Sequence, residues 1–292
     1  MVYRQIAKKP SFTFAGLIKL LIAVSLILFS LVMILPFIWM LSASFKTEKE
    51  VMAYPITWIP KTFHINNYYQ VLNINDAAKT NYHFVLAYWN SIKVSVTSTL
   101  CSVLSAALAG YAFAKLNFRG SKVLFMVYLA QMMVPSQLTL IPRVLMFSGV
   151  GLNNSHWALI LPKVVMVSSI FLVRQAYYAA PNELREAAKI DGAGEFRIWI
   201  QVMTPLVKPT LAAVATVDFL ASWNDYLDPL VFLSNWEKRT IPLALNQFIG
   251  TEVTQYNLIM AACSLTVLPV FIVFLCGQKF FMKGLTVGAV KG

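Results

Sequence analysis

The stretch LLIAVSLILFSLVMILPFIWMLSAS, residues 20–44, decides the fold of this chain, because it runs for 25 residues without a charged side chain. A helix of roughly 20 apolar residues crosses the hydrocarbon core of a bilayer, so this stretch predicts a membrane-spanning helix. It is longer than the roughly 7–15 apolar residues at the core of a cleaved signal peptide. Pro36 inside it predicts a kink, which a membrane helix tolerates.

Five more apolar runs follow, at residues 94–114, 123–142, 156–173, 209–233 and 258–277. The fourth span of the resulting series contains Lys163, and the fifth contains Asp218, Asp225 and Asp228. The whole chain, residues 1–292, is therefore expected to form a single transmembrane domain. Its predicted class is an all-α polytopic membrane protein with six transmembrane helices.

The composition excludes a water-soluble protein. Hydrophobic residues make up 58% of the chain and charged residues 12%, whereas a soluble domain carries about 25% charged residues. The net charge of +12 does not indicate nucleic-acid binding, because the basic residues lie at the ends of the apolar runs rather than along one polar face. The three cysteines and three histidines are not spaced as metal ligands or as a catalytic set. We therefore expect neither a metal site nor an enzyme.

The basic residues of the loops predict the orientation of the chain. Lys and Arg are concentrated before the first span, after the second, after the fourth and after the sixth. In a six-span protein these four segments lie on one side of the membrane, and that side is the cytoplasm because loops rich in Lys and Arg stay inside. Both termini are therefore expected in the cytoplasm.

The loop APNELREAAKIDGAGEFRIWIQVMTP, residues 180–205, lies between the fourth and fifth spans and is the most charged stretch of the chain. Pro181 suits the start of a helix, and the helix dipole favours Glu183 in the first turn. Gly192 can end that helix in a left-handed conformation, and residues 194–203 can form a second helix. This order predicts a docking element, and an amphipathic loop lying on the lipid headgroups is the alternative.

Short motifs of this loop and of the residues that follow it resemble the EAA loop of permeases from bacterial ABC importers: Glu186-Ala187-Ala188, Asp191-Gly192-Ala193, Pro205-Leu206 and Pro209. Thr204 departs from the family pattern, which has a leucine there. Two further motifs are similar to the carbohydrate-uptake branch of that family: Asn90-Ser91 and Trp223-Asn224-Asp225-Tyr226. The ending GLTVGAVKG, residues 284–292, resembles the tail of the shorter permease of maltose-type systems.

This resemblance implies the type I architecture of ABC importer permeases in a bacterial cytoplasmic (inner) membrane, in contact with membrane lipid. It also implies three protein partners: a second homologous permease, a dimer of cytoplasmic ABC ATPases and an extracytoplasmic sugar-binding protein. ATP and Mg would be bound by the ATPase subunits, since this chain has no G-x-x-x-x-G-K-[ST] loop. No cofactor is expected on this chain. The implied function is the import of a di- or oligosaccharide by alternating access.

By the same resemblance, two groups of residues contact the ATPase. The first is a loop group that consists of Glu186, Ala187, Ala188, Asp191, Gly192 and Ala193. The second is a tail group that consists of Gly288, Lys291 and Gly292. A frayed terminus is the alternative interpretation of the tail.

Lys163 lies inside the fourth span, where a lysine faces protein, water or a ligand rather than lipid. One interpretation is an ion pair with Asp225, which lies at a similar depth in the fifth span. A second is a positive cavity formed together with Lys93 and Arg143, which would suit an acidic sugar such as a uronate oligosaccharide. A third is snorkelling of the side chain toward the interface.

The expected substrate pathway consists of Lys163, Trp223, Asn224 and Asp225. In it, Trp223 would offer a stacking face to a sugar ring and Asn224 a hydrogen bond. A competing interpretation is an ion-gradient-driven secondary transporter, in which Lys163 and Asp218 form a proton or sodium relay.

Overall fold

The computed structural model describes residues 14–72, 84–248 and 255–289, and within these ranges the chain is helical without a β-strand. The α-helices are α1 (Phe14–Ser44), α2 (Glu48–Val51), α3 (Asn66–Val71), α4 (Phe84–Lys115), α5 (Ser121–Ala130), α6 (Leu140–Gly149), α7 (Trp157–Ile160), α8 (Val167–Ala179), α9 (Asn182–Ile190), α10 (Glu195–Arg197), α11 (Thr204–Leu206), α12 (Lys208–Trp223), α13 (Leu227–Phe232), α14 (Ile241–Ala244) and α15 (Tyr256–Ala289). The 3-10 helices are Gln131–Met133, Ser136–Thr139, Leu161–Lys163, Trp236–Lys238 and Leu245–Phe248, and a π-helical segment covers Ile198–Met203.

Four helical segments are long and apolar enough to cross a membrane: Gly16–Ser44, Phe84–Lys115, Trp157–Ala179 and Tyr256–Phe280. Two bent pairs raise the number to six if each pair is one span. They are Ser121–Met133 with Ser136–Gly149, bent by 97°, and Glu195–Leu206 with Lys208–Trp223, bent by 79°. The predicted all-α polytopic class is confirmed. The Glu195–Leu206 arm belongs to the charged loop predicted at residues 180–205.

The second and sixth spans are longer than the sequence intervals assigned to them. The second was placed at residues 94–114, but α4 begins at Phe84, because residues 84–89 are apolar and aromatic and the polar residues Asn90, Ser91 and Lys93 do not end the helix. The sixth was placed at residues 258–277, whereas α15 continues through Ala289. Gly277 within it lies so close to α12 that an added Cβ would collide with the side chain of Thr216.

The third, fourth and fifth spans are interrupted, although each apolar run suggested one continuous helix. The third breaks before Pro135, where Val134 is extended with ψ 114°, because a proline disfavours helical backbone in the residue before it. The fourth breaks between Lys163 and α8, where Met166 is extended. The fifth breaks after Trp223, and a separate short helix, α13, follows.

The largest buried cluster lies where α4, α8 and α12 pack together. Ala106 and Ala107 of α4 meet Val173 of α8 and Val214 of α12, and all four are buried. Gly110 allows α4 and α8 to approach closely, since a Cβ there would lie 3.0 Å from the backbone nitrogen of Arg174. Small residues at such crossings let helix backbones pack tightly in a membrane. These three helices therefore form the rigid centre of the fold.

Candidate functional site

The helix α9 projects from the charged loop and ends at a glycine turn. Gly192 adopts φ of 81°, which confirms the left-handed terminator predicted there. The turn is closed by the amide of Gly192, which donates to the carbonyl of Lys189 at 3.0 Å, and by that of Ala193, which donates to Ala188 at 3.0 Å. No atom lies within 4 Å of a Cβ added at Gly192, so backbone conformation and not crowding requires the glycine.

One face of α9 is exposed and carries apolar side chains. Leu184 is 44% exposed and Ile190 is 88% exposed, and Ala187 lies exposed between them. We call this set the α9 surface. Glu186, Asp191 and Gly192 are exposed beside it. Apolar side chains exposed on an otherwise charged helix indicate an interaction surface.

The two adjacent alanines, Ala187 and Ala188, have different surroundings. Ala188 is half-buried and packs, together with Ala193, against the cluster below the loop. Neighbouring residues of a helix point about 100° apart, so Ala187 is exposed while Ala188 faces the cluster. Ile190, which the sequence reasoning missed, is the most exposed apolar residue of the α9 surface.

Glu195 connects α9 to the membrane helices through hydrogen bonds and ion pairs. Its carboxylate accepts hydrogen bonds from Arg185 at 2.5 Å and from Lys189 at 2.6 Å, both on α9. The hydroxyl of Tyr111, in α4, donates to its second oxygen at 2.7 Å. Burial tends to raise the pKa of Glu195, but the hydrogen bonds from Lys189, Tyr111 and Arg185 outweigh it and lower the pKa to about 2. The carboxylate is therefore charged at physiological pH.

Further contacts join the loop to α4 and α8. Lys115 at the end of α4 donates to the carbonyl of Ala180 at 2.7 Å and to Oδ1 of Asn182 at 2.5 Å. The indole of Trp199 is buried and donates to the carbonyl of Ala107 at 3.3 Å. These hydrogen bonds join the loop to α4 at two separate positions.

Thr204, which replaces the leucine of the family pattern, has a polar partner in the structure. Its hydroxyl and that of Tyr177, in α8, are hydrogen-bonded at 2.9 Å. The tyrosine ring is fully buried, so its hydroxyl needs a partner in this place. The departure from the family pattern is thereby compensated.

The tail group begins at the end of α15. Gly288 lies in the last turns of α15. Lys291 and Gly292 lie outside the described residues.

Of the three interpretations of Lys163, the structure supports the ion pair with Asp225. Its Nζ lies 2.6 Å from Oδ2 of Asp225, with both side chains 16% exposed. Arg143 is paired as well, through two hydrogen bonds of 3.0 and 2.8 Å to the two oxygens of Asp228. The expectation of a positive cavity is therefore wrong for two of its three cations; the third, Lys93, is exposed.

Trp223 does not offer the stacking face that the sequence suggested. It is 1% exposed, stacks on Phe219 with ring centroids 5.7 Å apart, and meets the edge of Tyr88. The ring is thus enclosed by Phe219 of its own helix, α12, and by Tyr88 of α4, and is not open to a ligand. Asn224 is exposed, and its amide nitrogen donates to the carbonyl of Leu220 at 2.9 Å, which leaves its oxygen free to accept a hydrogen bond among the described residues.

Asp218 and Lys163 do not form the relay of the competing interpretation. Asp218 is buried and accepts hydrogen bonds from Ser102 at 2.6 Å and from Ser169 at 2.9 Å. In the described part of the chain, it shares no hydrogen bond or ion pair with Lys163. The carboxylate instead joins α4, α8 and α12 at their crossing. The same part of the chain contains no cluster of His, Cys, Asp and Glu that could hold a metal ion.

The family model described as binding-protein-dependent transport system inner membrane component matches residues 102–287. The arabinooligosaccharides transport system permease protein AraQ of Halalkalibacterium halodurans is 32% identical, over 93% of this chain and 96% of that protein. The lactose transport system permease protein LacG of Rhizobium radiobacter is 31% identical, over 88% and 91%. The crystal structure of a bacterial ABC transporter that imports the acidic polysaccharide alginate contains a chain of the same fold. It aligns with a TM-score of 0.81 and 24% identity, over 94% of this chain and 100% of that one.

Proposed function

Because the chain belongs to the family of binding-protein-dependent transport system inner membrane components, we propose that it is the membrane-spanning subunit of an ATP-driven sugar importer. The proposed substrate is a di- or oligosaccharide. The proposed docking site of the ATPase is the α9 surface. Relatives named for arabinooligosaccharide and lactose transport support the class of substrate. Membership of the binding-protein-dependent family favours ATP-driven import over the ion-gradient alternative. The chain itself is not an enzyme.

The observation that carries the docking proposal is the α9 surface itself. A loop that rested on lipid headgroups would turn its apolar side chains toward the bilayer. Here Ala188 faces the protein, and Leu184 and Ile190 are exposed on the outer side of the helix. A partner protein that covers them accounts for this arrangement better than a lipid surface does.

The contacts of the loop suggest how force reaches the membrane helices. Closure of the ATPase dimer would push α9, and the Glu195 carboxylate would transmit the push to Tyr111 of α4. The hydrogen bond from Trp199 to α4 adds a second connection. Movement of α4 with α8 and α12 would then open the pathway to alternate sides, and import has a direction only if sugar affinity differs between the two states.

The remaining partners follow from the family. A second homologous permease would complete the pathway, an ATPase dimer would bind ATP and Mg, and an extracytoplasmic protein would deliver the sugar. The basic loops support a cytoplasmic location for residues 180–205 and for both termini. Gly288, Lys291 and Gly292 would add a second contact with the ATPase.

The test is retention of the ATPase by a purified complex. Ile190→Asp places a charge in the α9 surface, and we expect the permease pair to purify with little or no ATPase. Ile59→Asp is the matched control, because Ile59 is 78% exposed in the loop after α1, on the opposite side of the predicted topology. Full ATPase retention by Ile190→Asp would show that the motor docks elsewhere.

A further inference from the structure

The breaks in the third, fourth and fifth spans meet around one cavity of about 630 Å³. Val134 borders it at the first break, Pro162 just before the second, and Asp225 within the third. Non-helical backbone at membrane depth is tolerated only where it is buried in protein or lines a water-filled cavity. Its volume lies within the roughly 300–1,000 Å³ of small-molecule sites, so the three breaks together build a space of ligand size.

The charged side chains at this cavity form two ion pairs, whose charges cancel. Arg143 and Asp228 both line it and form a bidentate ion pair, with two hydrogen bonds of 3.0 and 2.8 Å from the guanidinium to the carboxylate. Asp225 lines it too and is held by Lys163 at 2.6 Å. The backbone amide of Asp228 donates to Asp225 at 3.3 Å, so the two pairs adjoin. The net charge of the two pairs is zero. Among the described residues, the charged side chains that line the cavity itself are Arg143, Asp225 and Asp228, and Lys163 is not one of them.

An acidic ligand would find no free cation there. It would have to displace Asp225 or Asp228 from its partner and leave a carboxylate unpaired in a poorly solvated place, which is a costly state. A neutral ligand with many hydroxyl groups has no such conflict. Its hydroxyls can donate to the remaining lone pairs of the two carboxylates without breaking either ion pair.

The uncharged polar lining of the cavity is concentrated around the third-span break. Gln131 and Gln137 lie on either side of Pro135, and both are exposed and line the cavity. Within the described structure the side chain of Gln131 has no hydrogen-bond partner, and that of Gln137 has only a 3.4 Å contact from the hydroxyl of Ser136. Each amide can donate and accept at once, as recognition of a sugar hydroxyl requires.

We propose that this cavity binds an uncharged saccharide in transit, with Gln131 and Gln137 as hydrogen-bonding side chains and Asp225 and Asp228 as acceptors. The proposal rests on the proposed function and adds the charge class of the substrate and the position of its site. The paired cations orient the carboxylates and do not attract the substrate.

The first test compares neutral with acidic sugars in the reconstituted importer, complete with its binding protein. The neutral probes are lactose, arabinotriose and maltotriose, and the acidic ones are trimers of galacturonate and mannuronate. We expect ATP-driven uptake of at least one neutral probe and of neither acidic one. Uptake confined to an acidic probe would overturn this proposal and leave the sugar importer intact, whereas no ATP-driven uptake of any probe would overturn both.

The second test removes the amides one at a time. Gln131→Leu and Gln137→Leu should each raise the half-saturating sugar concentration about five- to tenfold, because one or two hydrogen bonds to the sugar are lost. Gln175→Leu is the matched control, since Gln175 is exposed on α8 outside this cavity, and it should leave that concentration unchanged. Co-purification of all subunits checks assembly, and Gln137→Asn replaces Gln137→Leu if assembly fails. Unchanged half-saturation in both glutamine variants would overturn the proposal.

Discussion

The hydroxyl of Tyr111, in the second membrane span, donates a 2.7 Å hydrogen bond to the carboxylate of Glu195, in the loop that carries α9. The same carboxylate is held by Arg185 and Lys189 of α9. One side chain thus connects the surface proposed for the ATPase with a helix of the membrane domain. Glu195 is not part of the motif by which the loop resembles its family.

Removal of the Tyr111 hydroxyl should therefore weaken coupling more than assembly. Tyr111→Phe keeps the ring against Tyr177, whose centroid is 5.5 Å away, and loses a hydrogen bond to a charged group that is worth about 1 kcal/mol at a partly exposed site. We expect several-fold less sugar transported per ATP hydrolysed, in a complex of normal composition. Tyr128→Phe is the control, because the buried Tyr128 hydroxyl has no partner among the described residues. An unchanged transport ratio in Tyr111→Phe would refute this connection.

Coupling to the ATPase should require Gly192, because the turn at the end of α9 needs its left-handed backbone conformation. Gly192→Val forces a β-branched residue to φ near 81°, which costs about 1–2 kcal/mol or more, so we expect lost coupling or lost ATPase. Gly120→Val is matched to it, since Gly120 has φ of 84° and equally open surroundings but precedes α5 and is not part of the loop that carries α9. Measurements of sugar-stimulated ATP hydrolysis in both variants distinguish an effect on docking from an effect on folding. If both lose it to the same degree, the effect is one of folding and not of docking.

Lys163 and Asp225 should stabilise the fold only as a pair. Each single change, Lys163→Gln or Asp225→Asn, leaves one charge unpaired at a site where the side chains are 16% exposed, at a cost of at most about 3–5 kcal/mol. The double variant should recover part of that loss, with an interaction energy of about 0.5–3 kcal/mol. Thermal unfolding of the purified complex measures it, with Lys122→Gln as the exposed control. Strictly additive effects would contradict the pairing.

Asp218 should act as a hydrogen-bond acceptor and not as a proton carrier. Asp218→Asn keeps an oxygen for the hydroxyls of Ser102 and Ser169, so ATP-driven uptake should stay near normal. Asp218→Leu leaves two buried hydroxyls without a partner, at about 1–3 kcal/mol each, and should reduce the yield of complex. A stable Asp218→Asn complex that no longer imports sugar would instead indicate a relay.

Hydropathy alone predicted the class of fold, because the length of an uncharged run reports the thickness of a bilayer. It did not predict the breaks at residues 134–135, 164–166 and 224–226. An average over an apolar run is insensitive to whether the backbone within it is continuous. Pro135 with glutamines on both sides was a usable signal in the third span, since polar side chains beside a proline need a cavity to face.

The candidate site was predictable where one residue determines the geometry, and not where packing does. Gly192 was identified because few other residues tolerate its conformation. The inward orientation of Ala188 and the burial of Trp223 depend on how α9 and α12 are rotated against their neighbours. That rotation is set by contacts distant in sequence, such as the hydrogen bonds of Glu195.

ATP-driven uptake into sealed vesicles tests the central claim most directly. Vesicles that contain the complete complex are loaded with ATP on the ATPase side, and ionophores abolish every ion gradient. The account predicts that labelled neutral oligosaccharide accumulates under these conditions and that Ile190→Asp in the α9 surface abolishes the accumulation. Uptake that requires an ion gradient and continues after ATP is removed would contradict it.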